Sequence, residues 1–121
     1  MKKKSFNIPI YDFDVIFLEI ERKSDKDKVS EEMVSFNCNI EDIRTMERYI
    51  DLDYTNGGDT FRNMEAKRFL VIIAPCKDDE TRREIINHEK RHVEDRLLEW
   101  VGINDMEASA YLAGYLSRFI Y

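Results

Sequence analysis

The sequence predicts a single α+β domain, spanning residues 1–121, in which a small antiparallel sheet packs with helices. Two stretches rich in β-branched and aromatic residues, Ile8–Ile20 and Phe69–Ile73, predict strands. From Asp78 onward, apolar residues recur at helical spacing and cap residues flank the predicted helices. A chain of 121 residues has room for one hydrophobic core but not for two.

The first half of the chain is predicted to contain one strand or a short bent pair, followed by one or two helices. Lys2–Lys4 are expected to form a frayed, solvated end before the strand region Ile8–Ile20. The stretch SDKDK, Ser24–Lys28, is typical of a turn. From Val29 to Leu52 apolar side chains recur three and four residues apart, and Asn39 can cap the second part of this stretch.

A hairpin is predicted after the double glycine in the middle of the chain. Its arms are DTFRN, Asp59–Asn63, and KRFLVIIAP, Lys67–Pro75. The second arm carries the uninterrupted apolar run Phe69–Ile73, which is typical of a strand buried on both faces. This strand is therefore predicted to lie at the centre of the sheet.

Two helices are predicted to complete the domain. The first has Asp78 or Thr81 as its N-cap and ends at Gly102, because glycine readily adopts the left-handed conformation that terminates helices. The second reaches the C-terminus, with Asn104 as N-cap and Glu107 three residues later. A tight turn at Gly102 would fold the last helix back against the first.

Composition and charge exclude several classes of protein. The chain is 43% apolar and 36% charged with a net charge of −6, which predicts a globular domain with an ionic surface. Its acidic and basic residues are mixed, so no basic stripe for a nucleic acid is expected. No apolar run has the roughly 18 residues of a membrane helix, and Asp12 and Asp14 interrupt any signal-peptide core. With Cys38 and Cys76 read as reduced thiols, the sequence predicts a cytoplasmic protein.

The candidate chemistry lies in NHEKRH, Asn87–His92, which contains the only two histidines of the chain, His88 and His92. Residues four apart on a helix share one face, so both imidazoles can bind one zinc ion. Glu89 follows the first histidine and can reach a water molecule activated by the ion without being a ligand itself. The motif therefore predicts metal-assisted hydrolysis of an amide bond.

A catalytic zinc ion normally has three protein ligands, so one more ligand is needed. Glu107 is the candidate, because it lies in the last helix at the end of a stripe of small residues, Ala110, Gly114 and Ser117. Such a stripe is expected to let two helix backbones approach closely. Glu107 would then face the histidines.

Each of these residues also has a simpler interpretation. Glu107 can serve as the capping partner of Asn104, and the two roles can coexist. His88 and His92 can be surface side chains on the flank of an apolar helix face. Tyr111 can be a packing aromatic or can donate a hydrogen bond to a developing oxyanion.

HEKRH followed by NDMEASAYLAGYL, with IPIY near the start and the strand KRFLVIIAP, resembles the zincin metallopeptidases. The resemblance is closer to small zincin-like proteins encoded by bacterial phages and mobile elements, and it covers most of the chain. In zincins of the gluzincin type, the two motif histidines and a glutamate of a later helix bind zinc. For this chain the resemblance therefore implies zinc ligands at His88, His92 and Glu107, with Glu89 as the general base.

The predicted function is that of a zinc metallopeptidase, a hydrolase acting on a peptide or protein, with no nucleic-acid or membrane partner. One departure from the motif is that Lys90 and Arg91 stand where zincins usually have uncharged residues. Two cations would repel a metal ion unless their long stems carry the charges away from it. The alternative is a catalytically inactive zincin-like protein that serves a phage or mobile element in interaction or regulation.

Overall fold

The structure is a computed structural model. We describe the backbone of residues 1–102 and 106–120, and the side chains of the same residues except 101, 106–109, 119 and 120. Within these residues the chain forms four strands and four α-helices. In chain order they are β1 (Lys2–Ile8), β2 (Phe13–Glu19), a 3₁₀ turn (Lys23–Asp25), α1 (Lys26–Phe36), α2 (Ile40–Asp51), β3 (Gly58–Asn63), β4 (Arg68–Ile73), α3 (Asp79–Val101) and α4 (Met106–Ile120).

The strands form one mixed sheet in the order β1-β2-β4-β3. β1 is antiparallel to β2, and β3 is antiparallel to β4, but β2 and β4 are parallel. The predicted α+β class is confirmed, whereas the prediction of an all-antiparallel sheet is wrong at its central pair. The long connection from β2 through α1, α2 and β3 permits the parallel pairing, because parallel strands need a crossover rather than a tight turn.

Helices cover both faces of the sheet, so the domain has two apolar layers. On one face, side chains from β1, β2 and β4 pack with α3 and α4; on the other, side chains from β2 and β4 pack with α1 and α2. Strand β4 contributes Phe69, Val71 and Ile73 to the first layer and Leu70 and Ile72 to the second, and all five are fully buried. The prediction that this strand lies inside the sheet is confirmed, because β4 pairs with a strand on each side.

The lysines at the start of the chain do not form a frayed end. Lys2–Lys4 belong to β1, where they pair with Glu19, Leu18 and Phe17 of β2. Their side chains are exposed, and only their backbone takes part in the sheet. Lysine on an edge strand is compatible with pairing on one side and discourages pairing with another molecule on the other.

The predicted helix boundaries agree with the structure where it describes them, except at the start of α1. That helix begins at Lys26, inside the stretch Ser24–Lys28 that was predicted as a turn. The Asn39 side chain accepts a hydrogen bond from the Asp42 backbone N–H at 2.8 Å, and Asp78 accepts one from the Thr81 N–H at 2.7 Å. Gly102 ends α3 in the left-handed conformation with φ of 73°. The predicted capping by Asn104 and Glu107 lies outside the described residues. None of the helices in the described part of the chain combines the length and apolar content needed to cross a membrane.

Candidate metal centre

The two histidines converge on one face of α3. The Nε2 atoms of His88 and His92 are 3.1 Å apart, and the ring planes are nearly perpendicular, at 89°. Two neutral imidazoles at this distance can share one N–H···N hydrogen bond. The same convergence also suits an ion, because two nitrogens bound tetrahedrally at about 2.0–2.1 Å from zinc lie about 3.3 Å apart. The donor atoms therefore fit a zinc ion with little movement.

Glu89 lies beside the histidines but is buried between α3 and β3, with 3% of its surface exposed. Its neighbours on α3 explain the burial, because Ile86, Val93 and Leu97 are fully buried and Glu89 falls in the same stripe. One ligand atom from each of His88, Glu89 and His92 lies within 4.8 Å of the other two. The three side chains thus form a compact cluster with a carboxyl group on its inner side.

The surroundings of Glu89 favour its protonated form. Burial raises the pKa of the Glu89 carboxyl, and the nearby Asp59 adds to the rise, while the two histidines and Thr60 oppose it. The Thr60 hydroxyl lies 3.5 Å from Glu89 Oε2 and 3.4 Å from the Glu89 backbone carbonyl. A carboxyl with a raised pKa is a stronger base as the carboxylate, and it keeps its proton to higher pH than an ordinary glutamate.

The cluster forms one wall of an open cleft of about 420 Å³ between α3 and the edge strand β3. Helix α3 contributes His88, Glu89, His92 and Arg96, and strand β3 contributes Gly58, Asp59, Thr60 and Arg62. The sequence prediction named no residue of β3 for this site. Which strand lies beside the motif depends on tertiary packing, which the local sequence does not reveal. The sequence held one signal, the charged Glu89 within an apolar stripe of α3, which indicates that a carboxyl group is buried there.

The lysine inside the motif points away from the face of α3 that carries the histidines. Lys90 Nζ donates to the Ser117 hydroxyl of α4 at 2.9 Å and lies 3.8 Å from a carboxylate oxygen of Glu94. These contacts place the ammonium group between α3 and α4 rather than in the cleft. Arg91 is exposed. The charge of Lys90 is therefore separated from the histidine pair by the body of the helix.

The residues predicted on α4 are not brought to the histidines by any contact that the structure describes. Ala110 and Gly114 are exposed, and among the described residues a Cβ added to Gly114 would meet nothing within 4 Å, so the predicted close approach of the helices is wrong at these two positions. Ser117 of the same stripe does contact α3, through Lys90. α4 instead packs through the fully buried Leu112 and Leu116. The side chain of Glu107 lies outside the described residues, and its role as third ligand stays a prediction.

Tyr111 was predicted as a possible oxyanion donor. It is 47% exposed and stacks on Tyr115, with ring centroids 6.4 Å apart. Tyr111 is not among the described residues that line the cleft. The hydroxyl of its neighbour Tyr115 donates to the Asn7 carbonyl at 2.7 Å. A packing role accounts for its observed contacts, and a catalytic role stays a prediction.

No family model matches the chain, and comparisons with curated proteins and with solved structures find no match either. The resemblance to zincins consequently rests on the motifs themselves.

We expect Gly58→Ala to destabilise the protein, because the added Cβ would lie 2.9 Å from Glu89 Cγ, 3.0 Å from Ile73 Cδ1 and 3.1 Å from Ile85 Cγ2. Such overpacking costs about 1–3 kcal/mol of unfolding free energy. Urea denaturation of the variant measures the loss. Gly114→Ala is the matched control; there the new methyl group has space, and the higher helix propensity of alanine predicts equal or greater stability, by up to about 1 kcal/mol. Equal stability of Gly58→Ala and the unaltered protein would contradict the described contact.

The raised pKa of Glu89 predicts a pH-dependent effect of Glu89→Gln on the stability of the metal-free protein. A carboxyl with a higher pKa in the folded than in the unfolded chain binds its proton more tightly when folded, so its contribution to stability falls as pH rises through the raised pKa. The two proteins should be similarly stable near pH 4.5. Towards pH 8 the Gln variant should be the more stable by about 1 kcal/mol or more, since it carries no buried charge. Urea titrations across this range test the sign, and a difference that does not change with pH would contradict it.

Proposed function

We propose that the protein is a zinc-dependent peptidase. The observation that carries the proposal is the convergence of the His88 and His92 Nε2 atoms, 3.1 Å apart, next to the buried carboxyl of Glu89 in an open cleft. Two surface histidines alone would have little functional meaning. A carboxyl group buried at the expense of solvation, directly beside them, is typical of catalytic sites.

In this proposal His88 and His92 hold the metal ion, and Glu107 is the prospective third ligand. Zinc, when bound, acts as a Lewis acid that makes a nearby water molecule a better nucleophile at neutral pH. The imidazole nitrogens are preferred zinc ligands, and their position on one rigid helix fixes the distance between them. The chain itself must then supply the proton transfers and the binding of the peptide.

Glu89 is suited to the proton transfers. As a carboxylate it accepts a proton from the attacking water, and as a carboxylic acid it donates this proton to the leaving amine. Its raised pKa in the metal-free protein makes the Glu89 carboxylate a stronger base than an ordinary glutamate. The Thr60 hydroxyl lies near one carboxyl oxygen, with a long separation of 3.5 Å from Oε2.

Strand β3 is suited to hold an extended peptide. Within the described residues it is an edge strand, paired with β4 alone, and it forms the wall of the cleft opposite the histidines. The unpaired backbone groups on the outer side of an edge strand can pair with the backbone of a peptide in extended conformation. This pairing would bind peptides of many sequences, as a peptidase requires.

The free thiols of Cys38 and Cys76 suit the cytoplasmic location that was predicted from the sequence.

The first experiment combines zinc binding and hydrolysis. We expect one zinc ion per chain by elemental analysis of protein purified without metal-affinity resin, and weaker binding below about pH 6, because a protonated imidazole cannot be a ligand. Glu89→Gln should keep zinc affinity within a few fold and lower the hydrolysis of an unstructured protein by about 100-fold or more.

The controls separate loss of the metal from loss of the base. His92→Ala should lose both zinc and hydrolysis, whereas Asn87→Ala, an exposed neighbour on α3, should keep both. A zinc content below about one tenth of an ion per chain, with no zinc binding on titration, would reject the metal centre. Zinc binding without any hydrolysis from pH 6 to 9 would reject the peptidase and favour the interaction protein.

A separate variant tests the proposed third ligand. If Glu107 binds zinc through its negative charge, Glu107→Gln should weaken zinc affinity by about 10-fold or more and leave the melting temperature of the zinc-free protein nearly unchanged. Asn104→Ala is the comparison: if Asn104 is the cap that the sequence predicts, its loss should lower stability by about 1 kcal/mol without a strong effect on zinc. Wild-type zinc affinity in Glu107→Gln would exclude it as a ligand.

A further inference from the structure

The cleft has two cationic side chains at one end. Strand β3 and helix α3 run side by side in the same direction: Gly58 lies against Ile85 and Glu89, and Thr60 lies against Glu89. Farther along the same two elements, Arg62 of β3 and Arg96 of α3 both line the cleft. Arg96 follows His92 by four residues, so it lies one turn beyond the histidine pair on the same helix face.

Neither arginine is held by a strong partner within the described residues. Arg62 is exposed and has no hydrogen bond or ion pair there. Arg96 pairs with Glu99 at 3.3 Å, but 46% of the Arg96 side chain and 70% of the Glu99 side chain are exposed. An ion pair so accessible to water is weak, because the solvent screens it. Both guanidinium groups can therefore turn to a ligand in the cleft.

We infer that the Arg62–Arg96 end of the cleft binds a carboxylate of the peptide substrate. The planar guanidinium group donates two parallel hydrogen bonds to a carboxylate, which makes arginine the preferred residue for this recognition. One arginine on each wall can approach the carboxylate from two sides. This inference rests on the proposed function, since it assigns the class of peptide that the same cleft accepts.

The expected preference is local and depends on position in the peptide. The chain has a net charge of −6, which disfavours acidic peptides in general. A carboxylate close to the histidines would meet the metal site, Glu89 and Asp59 rather than the two arginines. Only a carboxylate placed some residues from the bond to be cleaved can reach the arginines. It can come from an Asp or Glu side chain or from the free C-terminus of the peptide.

The test measures binding of labelled peptides by fluorescence anisotropy to the Glu89→Gln variant, both zinc-loaded and metal-free. One series of amidated peptides carries a single Glu that moves along an otherwise apolar sequence. A second series carries Gln at the same positions. A third series consists of the Gln peptides shortened stepwise and ending in a free carboxylate. The second series shares the backbone of the first but lacks the charge, and the third distinguishes the two sources of carboxylate.

At one position, or at one peptide length, we expect the carboxylate to tighten binding by about 10-fold over the matched Gln amide, as charge-assisted hydrogen bonds do. Adding Arg62→Gln or Arg96→Gln should remove most of this gain and change the affinity of the Gln amide by less than about twofold. Arg44→Gln removes one positive charge from an exposed site on α2, on the other face of the sheet, and should leave the gain intact. The protein with Glu89 intact should cleave the same peptides, and the peptides that bind more tightly should have the lower KM.

Three outcomes overturn the inference. Equal affinity of all three series at every position, or a gain that persists when both arginines are replaced, excludes the carboxylate site. Failure to bind any peptide, with or without zinc, excludes it as well. The first two outcomes differ from failure of the proposed function, because zinc binding and cleavage of a neutral peptide are measured separately and can succeed while the carboxylate preference is absent. Failure to bind any peptide, together with absence of cleavage, would reject both.

Discussion

Close packing of strand β3 on helix α3 is the constraint on which the candidate site depends. At Gly58 the absence of a side chain leaves the space that the Glu89 stem, Ile73 and Ile85 occupy, because even a methyl group would lie only 2.9 Å from Glu89 Cγ. This contact buries the carboxyl and brings an edge strand to the histidine face of α3. A larger spacing would leave Glu89 solvated and would move β3 away from the histidines.

The same contact creates a conflict between stability and chemistry. A buried carboxyl in the apolar stripe of α3 lowers stability above its pKa, and an apolar residue at position 89 would pack there without this cost. The Thr60 hydroxyl supplies only long contacts, at 3.4 and 3.5 Å, which compensate little of the lost hydration. Residues that reduce stability in this way are common in functional sites, where protein stability is given up for reactivity.

Features that local sequence determines could be predicted, and features that depend on distant contacts could not. The unbroken apolar run of β4 and the caps at Asn39 and Asp78 follow from local chemistry and are confirmed. The parallel pairing of β2 with β4 was missed, because the order of strands in a sheet depends on the crossover and not on the pattern within either strand. For the same reason the histidine pair could be placed on one helix face, but the strand facing it, with Thr60 and Arg62, could not.

Helix α3 has three faces, and each carries a different kind of side chain. Ile86, Val93 and Leu97 face the core, His88, His92 and Arg96 face the cleft, and Lys90 with Glu94 faces α4. Two consecutive helical residues differ by about 100° in direction, so a charge between two metal ligands in sequence need not be near them in space. The lysine in HEKRH is therefore compatible with a metal centre, since its ammonium group contributes to the contact between α3 and α4. The angular position of a residue on its helix, rather than its place within a short motif, decides whether it alters the chemistry of the site.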